Sequence, residues 1–467
     1  MKVILCYMPE FLINYEFTGS DTPPLSIYLL AGILEQEGYQ VRVFDPYAFY
    51  QYQKSEEVLD KSADLIASSV EAGDILCFSS NTFNWPFTKK MINMVGERCP
   101  ENKIITGGLH PSIFDEYVLR TTKALAVLRG EGEVTICKVV HALEHKLSLE
   151  DIPGITYRKG DDIVRNEDCK VLSGEYLEQC ALPDYSLVPK EANYLAIPVE
   201  SSRGCAFSCA FCSIPYRHKW RGYSVDQVLR RVDHAKSYAD RFVNNADILF
   251  TDDCFTIDNE RAKAVMKELE QRGYDNKYFI EVRASNVLNG DLFESIDSAL
   301  IRSMQIGVEC GYDEGLKRIK KGLTIKELME ALEKLKALGL AHKILLSFII
   351  GFPWETEEDM NKTLETIEYI AKMLDIHCNI NWLIFLPSDL WKEREKYGIQ
   401  VDESCYDDLF WTSDRELFDK VHPLLTEPIM MRIERKIERM KLKGYPVTFN
   451  KLTFRTGLNY VSRKKYM

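Results

Sequence analysis

Three absences limit what this chain can be. No apolar run reaches the ~18 residues needed to cross a bilayer, so we expect no transmembrane helix. The first residues, Met1 to Tyr7, lack the apolar region and small-residue cleavage site of a secretory signal. An excess of positive charge is also missing, because 71 acidic residues outnumber 59 basic ones and give a net charge of −12. We therefore expect a cytoplasmic protein with no nonspecific binding of nucleic acid by the chain as a whole.

The cysteine pattern does not suggest a disulfide framework. The thirteen cysteines are odd in number, and most lie inside predicted strands and helices, as in proteins of a reducing compartment. Three differ from the rest, because Cys205, Cys209 and Cys212 fall on one short segment. Three thiolates on one loop can bind three irons of a 4Fe–4S cluster and leave the fourth iron open. The spacing predicts a cluster that takes part in chemistry.

A zinc site and a set of unliganded thiols are the two alternatives for the cysteine triplet. A structural zinc ion needs four ligands in tetrahedral geometry, and the nearest additional candidate is His218. Buried cysteines without a metal are also common, although usually singly. The spacing of the three thiols favours the cluster over both alternatives.

The segment from Cys205 to Cys212 resembles the cluster motif of the radical S-adenosylmethionine superfamily. That motif is Cys-x3-Cys-x2-Cys with an aromatic residue before the last cysteine, here Phe211. The resemblance implies that Cys205, Cys209 and Cys212 bind the cluster, that its open iron chelates S-adenosylmethionine, and that Phe211 packs near the adenine. It also implies an external electron donor of the flavodoxin or ferredoxin type, because cleavage to a 5′-deoxyadenosyl radical takes one electron.

The first third of the chain, residues 1–150, alternates short apolar runs with helical patterns. Strands are predicted at residues 3–6, 41–44, 75–78, 104–106 and 125–128, with helices near 25–37, 56–71, 86–97 and 132–145. Such a βα rhythm predicts an α/β, doubly wound, Rossmann-like domain whose ligand lies beyond the carboxyl ends of its strands.

Two loops of this domain occupy the expected ligand position. One contains Pro24, and the other contains Gly107, Gly108 and His110. With the Leu-Arg-Gly-Glu-Gly-Glu segment at 128–133, they resemble the cobalamin-binding domain of one branch of the radical enzymes. The Asp-x-His-x-x-Gly motif that supplies a histidine to cobalt elsewhere is absent from this half. The resemblance thus implies cobalamin without a protein histidine below the metal, or a domain that has lost cobalamin. His110 could approach the corrin, but a capped loop histidine is the simpler interpretation.

The rest of the chain is predicted to form a linker, a barrel and a small helical region. Residues 151–194 form the linker, with a hairpin at 155–164. Strands near 195–199, 246–250, 277–283, 302–307, 343–350 and 378–385 alternate with helices within residues 195–395. They predict a partial (β/α)6 TIM-type barrel with its active site at the carboxyl ends of the strands. Residues 396–467 are predicted to be mostly helical, with a basic amphipathic helix over 431–443.

Several residues at the predicted strand ends are candidates for cofactor binding. They are Asp252, Asp253, Arg283, Glu309 and Gly351. Charged groups in a barrel mouth can anchor an ammonium, a carboxylate or ribose hydroxyls, whereas a solvated strand end is the ordinary interpretation. The segments around them resemble the same cobalamin-type branch, which implies cofactor contacts. Trp354 stands where that branch usually has glycine, and Pro-Ser-Asp at 387–389 replaces Pro-Gly-Thr, so a relative's substrate does not transfer directly.

The resemblance implies a cobalamin-dependent methyltransferase that acts on an unactivated carbon of a small-molecule or peptide substrate. One S-adenosylmethionine would generate the radical, methylcobalamin would deliver the methyl group, and a second S-adenosylmethionine would remethylate cobalt. A radical cyclase, rearrangement or other redox enzyme on the same scaffold is the alternative, and a cobalamin or zinc sensor is the non-enzymatic one. A methylthiotransferase is disfavoured because no second three-cysteine set lies upstream. The sequence identifies neither a catalytic acid or base nor the substrate.

Overall fold

The computed structural model describes residues 1–8, 22–46, 55–243, 246–407 and 415–450. The chain forms two compact units. The first comprises Met1–Pro198, Asp233–Ala246 and Asp402–Phe410, and the second comprises Val199–Val232, Asp247–Val401 and Trp411–Met467. Within the described ranges, no helix has the length and apolar character needed to cross a membrane.

The first unit is built on a seven-stranded sheet in the order β2-β1-β3-β4-β5-β6-β7. Its strands are β1 (Lys2–Tyr7), β2 (Gln40–Phe44), β3 (Ile75–Ser79), β4 (Lys103–Gly107), β5 (Ala126–Leu128), β6 (Ile155–Lys159) and β7 (Asp162–Arg165). Its helices are α1 (Leu25–Gln36), α2 (Ser55–Ser69), α3 (Trp85–Arg98), α4 (Leu109–Ile113), α5 (Asp115–Thr121), α6 (Gly132–Glu144) and α7 (Gly174–Gln179).

The first five strands are parallel and mostly apolar, as expected when helices cover both faces of a sheet. Val3, Leu5, Ile75 and Ile105 lie in its core with 0–1% exposure. The predicted doubly wound α/β domain is confirmed. The predicted hairpin also forms, but it pairs antiparallel with β5, Leu128 opposite Ile155. An isolated hairpin is only marginally stable in water, so this part of the predicted linker extends the first sheet.

A second seven-stranded sheet, in the order β16-β15-β14-β13-β12-β11-β8, lies mainly in the second unit. The strands are β8 (Ala196–Val199), β9 (Ser202–Arg203), β10 (Arg221–Gly222), β11 (Asp247–Phe250), β12 (Tyr278–Val282), β13 (Ile301–Glu309), β14 (Ile344–Ile350), β15 (His377–Trp382) and β16 (Val447–Asn450), with β9 and β10 forming a separate pair. The helices are α8 (Val225–Ser237), α9 (Asn259–Arg272), α10 (Ala284–Leu288), α11 (Leu292–Ser295), α12 (Asp313–Arg318), α13 (Ile325–Ala337), α14 (Glu357–Met373), α15 (Asp389–Lys392), α16 (Arg415–Val421) and α17 (Glu427–Leu442).

Short 3-10 turns connect several of these elements. They are Tyr185–Leu187, Lys190–Ala192, Ala239–Arg241, Ser298–Leu300, Ala341–Lys343, Arg394–Tyr397 and Glu403–Tyr406. Two helices begin with a capping box, formed by Thr324 and Glu327 at α13 and by Thr356 and Asp359 at α14.

The barrel sheet has the six predicted strands and one more. β16 comes from the region predicted to be mostly helical and pairs in parallel with β15. The basic helix over 431–443 lies within α17, which is docked rather than free, since Arg432 forms an ion pair with Glu357 of α14. Met430, Ile433 and other apolar side chains of α17 are buried. Residues 408–414 and 451–467 of the region predicted to be mostly helical lie outside the described residues.

Candidate functional site

The three cysteines of the motif lie on one tightly folded loop between β9 and β10. Gly204, just before the first cysteine, has a φ of +79°, and a Cβ there would lie 2.7 Å from the Lys219 carbonyl and 2.8 Å from the Tyr216 carbonyl. The Cys205 N–H donates to the Tyr216 carbonyl at 3.2 Å. Only glycine allows the loop to return onto itself this closely.

Two backbone hydrogen bonds and one ion pair fix this loop to neighbouring elements of the second unit. The Ala210 N–H donates to the Ile319 carbonyl at 2.9 Å, and the Leu390 N–H donates to the Ala210 carbonyl at 3.1 Å. Arg217 forms a two-point ion pair with Asp389, with N–O distances of 2.6 and 3.0 Å. Both partners are about four-fifths buried, with 17% and 23% exposure, so the pair holds its geometry better than an open surface pair.

The three thiols lie close enough to one another to interact electrostatically. Burial raises the pKa of Cys205, and it raises that of Cys212 to about 11, so iron binding releases protons. Arg283 Nη1 donates to Cys209 Sγ at 3.7 Å. In the described part of the chain, no three His, Cys, Asp or Glu side chains converge on a single metal ion, and His218 is exposed. Thiolates of a 4Fe–4S cluster bind different irons and need not converge. The residues fit a cluster.

Arg283 is a buried cation beside the cluster loop. It is 8% exposed, its guanidinium lies 3.7 Å from the Phe207 ring centroid, and a second nitrogen donates to the Lys321 carbonyl. Its Nε has no hydrogen-bond partner in the described structure. A buried donor without a partner beside a predicted cofactor site suggests that a ligand supplies the acceptor.

The neighbouring aspartates at the end of β11 have different environments. Asp252 is buried and accepts hydrogen bonds from the Ser201 N–H at 3.1 Å, the Ser201 hydroxyl at 2.8 Å and the Ser202 hydroxyl. Asp253 is exposed to solvent, yet surrounding protein, Asp252 and Glu200 raise its pKa to about 6. Asp252 therefore positions the start of the cluster loop, whereas Asp253 has its oxygens available for a ligand. Their roles in cofactor binding stay predictions.

Glu309 forms a buried ion pair that the sequence did not reveal. Its carboxylate accepts from Lys321 Nζ at 3.1 Å, with 9% and 7% of the side chains exposed. Glu309 has a φ of +76°, uncommon for a non-glycine residue, and β13 is irregular between Gly307 and Glu309. A Cβ on Gly307 would lie 2.3 Å from Glu309 Oε1, so this glycine leaves room for the pair. Burial and Glu309 also raise the pKa of Glu281 to about 7.

Gly351 lies in a turn closed by a carboxylate. Glu355 accepts from the N–H groups of Gly351 at 2.7 Å and Phe352 at 2.9 Å. Gly351 has a φ of +84°, and a Cβ there would lie 2.9 Å from the Trp382 ring. The Phe352 ring lies 6.2 Å from that of Phe211. This places Phe211 beside the turn after β14, and its predicted contact with adenine stays a prediction.

The unusual residue of this turn is Trp354. Its ring stacks on Phe352 with centroids 5.1 Å apart and an interplanar angle of 13°. The Arg318 guanidinium lies over the ring, 4.3 Å from its centroid, and Tyr397 packs nearby at 5.5 Å. The tryptophan is therefore held by stacking and a cation–π contact, in place of the open space that a glycine would leave.

In the first unit, the paired glycines Gly107 and Gly108 lie close to protein backbone. Gly108 has a φ of +95°, and a Cβ there would lie 2.5 Å from the Ser80 carbonyl oxygen. Gly107 is less restricted, with its nearest atom, the Leu128 carbonyl oxygen, at 3.2 Å. Pro24 precedes α1 and its carbonyl accepts from the Ile27 N–H at 3.0 Å. These residues shape the carboxyl edge of the parallel sheet, where the fold places ligands.

His110 is completely buried rather than open to a ligand. Its exposure is 0%, and it stacks on Trp85 with ring centroids 4.7 Å apart and packs edge-on against Tyr406 at 5.7 Å. Nδ1 lies 3.4 Å from the Thr82 hydroxyl. Burial lowers the pKa of His110 to about 3, so the ring is neutral. The arrangement fits the capped loop histidine and does not present this side chain to cobalt.

Two family models match the chain. The model described as the radical SAM superfamily matches residues 199–367, and the model described as the B12 binding domain matches residues 16–140. The first range contains the cysteine loop, and the second contains the edge shaped by Pro24 and Gly108.

Several similar proteins match most of this chain. An uncharacterized methyltransferase of Pyrococcus horikoshii is 29% identical over 385 residues, 80% of this chain and 79% of the relative. The anaerobic magnesium-protoporphyrin IX monomethyl ester cyclase of Rubrivivax gelatinosus is 26% identical over 404 residues, 81% and 68% of the two chains. The structure of OxsB, a cobalamin-dependent S-adenosylmethionine radical enzyme with aqua-cobalamin bound, superposes with a TM-score of 0.66 at 20% identity. The match covers 92% of this chain and 56% of that longer one. At 20% identity, this similarity to OxsB shows a shared fold alone.

Proposed function

Because this chain belongs to the radical S-adenosylmethionine superfamily, in the branch that carries a B12-binding domain, we propose that it methylates an unactivated carbon of its substrate. Family membership supports the predicted cofactors: a 4Fe–4S cluster, S-adenosylmethionine and cobalamin. The observation that carries the proposal is the three-thiol loop, with Arg283 beside Cys209, in a chain that also has a cobalamin-type domain.

The protein's own residues hold and orient these groups. Cys205, Cys209 and Cys212 would bind three irons, and the buried guanidinium of Arg283 stabilises negative charge at Cys209. When bound, the cofactors supply one-electron cleavage of S-adenosylmethionine and a transferable methyl group. Asp252 holds Ser201 and Ser202 at the start of the loop.

A methyltransferase is favoured over the cyclase alternative by the more similar of the two relatives described above. The Pyrococcus horikoshii protein is named a methyltransferase and is 29% identical, against 26% for the cyclase. The difference between these two identities is small, so the products of turnover provide the direct test. Carbon methylation by the proposed route consumes S-adenosylmethionine twice, so it yields S-adenosylhomocysteine together with 5′-deoxyadenosine. A radical cyclization yields 5′-deoxyadenosine alone.

The test is anaerobic reconstitution of the full chain with iron, sulfide and hydroxocobalamin, followed by turnover with S-adenosylmethionine, a chemical reductant and small-molecule and peptide fractions. We expect equal amounts of the two products and a substrate heavier by one methyl group. Formation of 5′-deoxyadenosine without S-adenosylhomocysteine would favour the cyclase. One zinc ion per chain without cleavage of S-adenosylmethionine would favour a sensor.

The cluster assignment has its own control. Cys209→Ala should lose cluster iron and 5′-deoxyadenosine formation, because two thiolates are left where three are needed. Cys254→Ala removes another buried thiol of the same unit and should retain both. Iron content is measured directly, so the result does not depend on turnover. Full iron in Cys209→Ala would contradict the assignment.

A further inference from the structure

The last two strands of the barrel sheet carry polar side chains on one face. β15 and β16 alternate buried apolar residues with more exposed polar ones. The polar residues that form what we call the amide face are Asn379, Asn381, Thr448 and Asn450. Their apolar neighbours lie on the opposite face, because successive side chains of a strand alternate, and α14 and α17 cover that face. The amide face therefore lies on the inner side of the partial barrel.

The strand register brings these side chains into two rows. Ser347 of β14 pairs with Asn379, which pairs with Thr448, while Asn381 pairs with Asn450 one step further along. Parallel strands buried by helices on both faces are apolar throughout. The interior of a packed barrel is normally filled by branched aliphatic side chains. Here the outer face of β15 and β16 is apolar, whereas their inner face carries amide side chains.

Hydrogen bonds within the two rows leave some polar groups of the amide face without a partner. Thr448 Oγ1 donates to Asn379 Oδ1 at 2.9 Å, and Asn450 Nδ2 donates to Asn381 Oδ1 at 2.6 Å. His377 Nε2 lies 3.0 Å from the Thr448 hydroxyl. Among the described residues, the NH2 groups of Asn379 and Asn381 find no acceptor, and Asn450 Oδ1 finds no donor. Two free NH2 groups and one free carbonyl oxygen thus face the barrel interior.

The amide face differs in charge from the other half of the barrel. Asp253, Glu281, Glu309 and Lys321 are ionisable groups associated with β11, β12 and β13, on the side of the cluster loop. By contrast, no charged side chain takes part in the hydrogen bonds of the amide face. A phosphate or carboxylate is normally held by Arg or Lys. An apolar ligand would leave the free amide groups unpaired, which costs affinity.

We propose that the amide face binds the substrate, and that the bound part of the substrate is an uncharged amide, as in a peptide bond. An asparagine side chain offers one donor and one acceptor in the geometry of a peptide group, so it pairs with an amide reciprocally. The inference rests on the proposed function, because it places the substrate in the same barrel as the cofactors, and it narrows the substrate class to peptide-like molecules.

Binding to the reconstituted full chain tests this inference without requiring turnover. The probes are a set of N-acetylated tripeptide N-methylamides with neutral side chains, the same set with the central amide replaced by an ester, adenosine monophosphate and dodecanol. Equilibrium dialysis with mass-spectrometric detection measures the retention of each. We expect the amides to be retained about tenfold more strongly than the esters, the effect of about one net hydrogen bond.

Variants connect retention to the proposed face. Asn379→Leu and Asn381→Leu should each weaken amide binding by about tenfold, and the near-isosteric Asn381→Asp should do the same by replacing the free donor with an acceptor. Asn289→Leu makes the same chemical change at an exposed position of the second unit and should bind like the native protein. If the leucine variants fail to fold, the aspartate variant still decides.

Four outcomes of these binding experiments would overturn the inference. Stronger retention of adenosine monophosphate or dodecanol than of amides, equal retention of amides and esters, no retention of any probe, or variants that match Asn289→Leu would each do so. The same preparation is assayed for 5′-deoxyadenosine. If it forms that product yet gives one of these results, only the amide assignment fails. If it binds amides through Asn381 but never forms the product, the proposed function fails instead.

Discussion

Replacing Gly108 by alanine tests whether this glycine serves packing or ligand contact. Its φ and ψ of +95° and −172° fall in a region restricted almost entirely to glycine. An added Cβ would lie 2.5 Å from the Ser80 carbonyl oxygen and 2.9 Å from the Ser80 nitrogen. Both atoms already take part in hydrogen bonds, Ser80 N–H to Gly107 and His110 N–H to Ser80. The new atom therefore has to displace backbone rather than a flexible side chain.

The expected loss of folding stability follows from comparison with Gly73. This glycine has a φ of +92°, and an added Cβ there would have no atom within 4 Å. Gly73→Ala should destabilise by about 1 kcal/mol, the cost of the unfavourable backbone conformation alone. Gly108→Ala adds overpacking and a weakened hydrogen bond, about 3 kcal/mol more. Urea unfolding followed by hydrogen exchange of peptides from β3 and β4 measures both.

Equal destabilisation of the two variants would refute the packing argument. A Gly108→Ala protein that is as stable as Gly73→Ala but no longer retains cobalamin would show that this glycine serves the ligand, as the sequence resemblance implied. Loss of cobalamin in proportion to loss of stability agrees with packing.

Two further predictions concern the second unit. Burial raises the pKa of Glu355 to about 7, so the folded state binds more protons than the unfolded chain between about pH 4.5 and 7, and stability falls as the pH rises through that window. Glu355→Gln should remove this part of the slope in free energies of unfolding measured across it, and an unchanged slope contradicts the assignment. Asp389→Asn breaks the pair with Arg217 and should weaken the cluster loop by about 1–2 kcal/mol, seen as faster iron loss to a chelator. Glu393→Gln, which alters only a pair with Lys396, is the control, and equal rates would contradict this role.

Local pattern was enough to predict most of the scaffold. The apolar runs of β1, β3, β4 and β14 are long enough to be recognised as buried strands, and the capping box at Thr324 marks the start of α13. The cysteine loop could also be predicted, because its three ligands are neighbours in sequence. β16 was missed because a four-residue strand after a long helix carries too little periodicity to be recognised.

The contacts that were missed all join distant segments of the chain. Trp85 Nε1 donates to Asp407 at 3.0 Å, 322 positions away, and Lys89 and Tyr117 donate to the same carboxylate. Lys321 gains significance only from its buried pair with Glu309, and the amide face needs β16 beside β15. None of these pairings leaves a local trace in the sequence.

The sequence by itself determined the two α/β units and the grouping of Cys205, Cys209 and Cys212, because short-range alternation and close spacing express these features directly. Only the tertiary structure decided which carboxylate holds the backbone and which stays exposed, as with Asp252 and Asp253. It also decided that His110 is enclosed and that Asn379 and Asn381 share a face with Thr448 and Asn450. Burial, charge pairing and strand register are properties of neighbours in space, and the chain brings those neighbours together only when it folds.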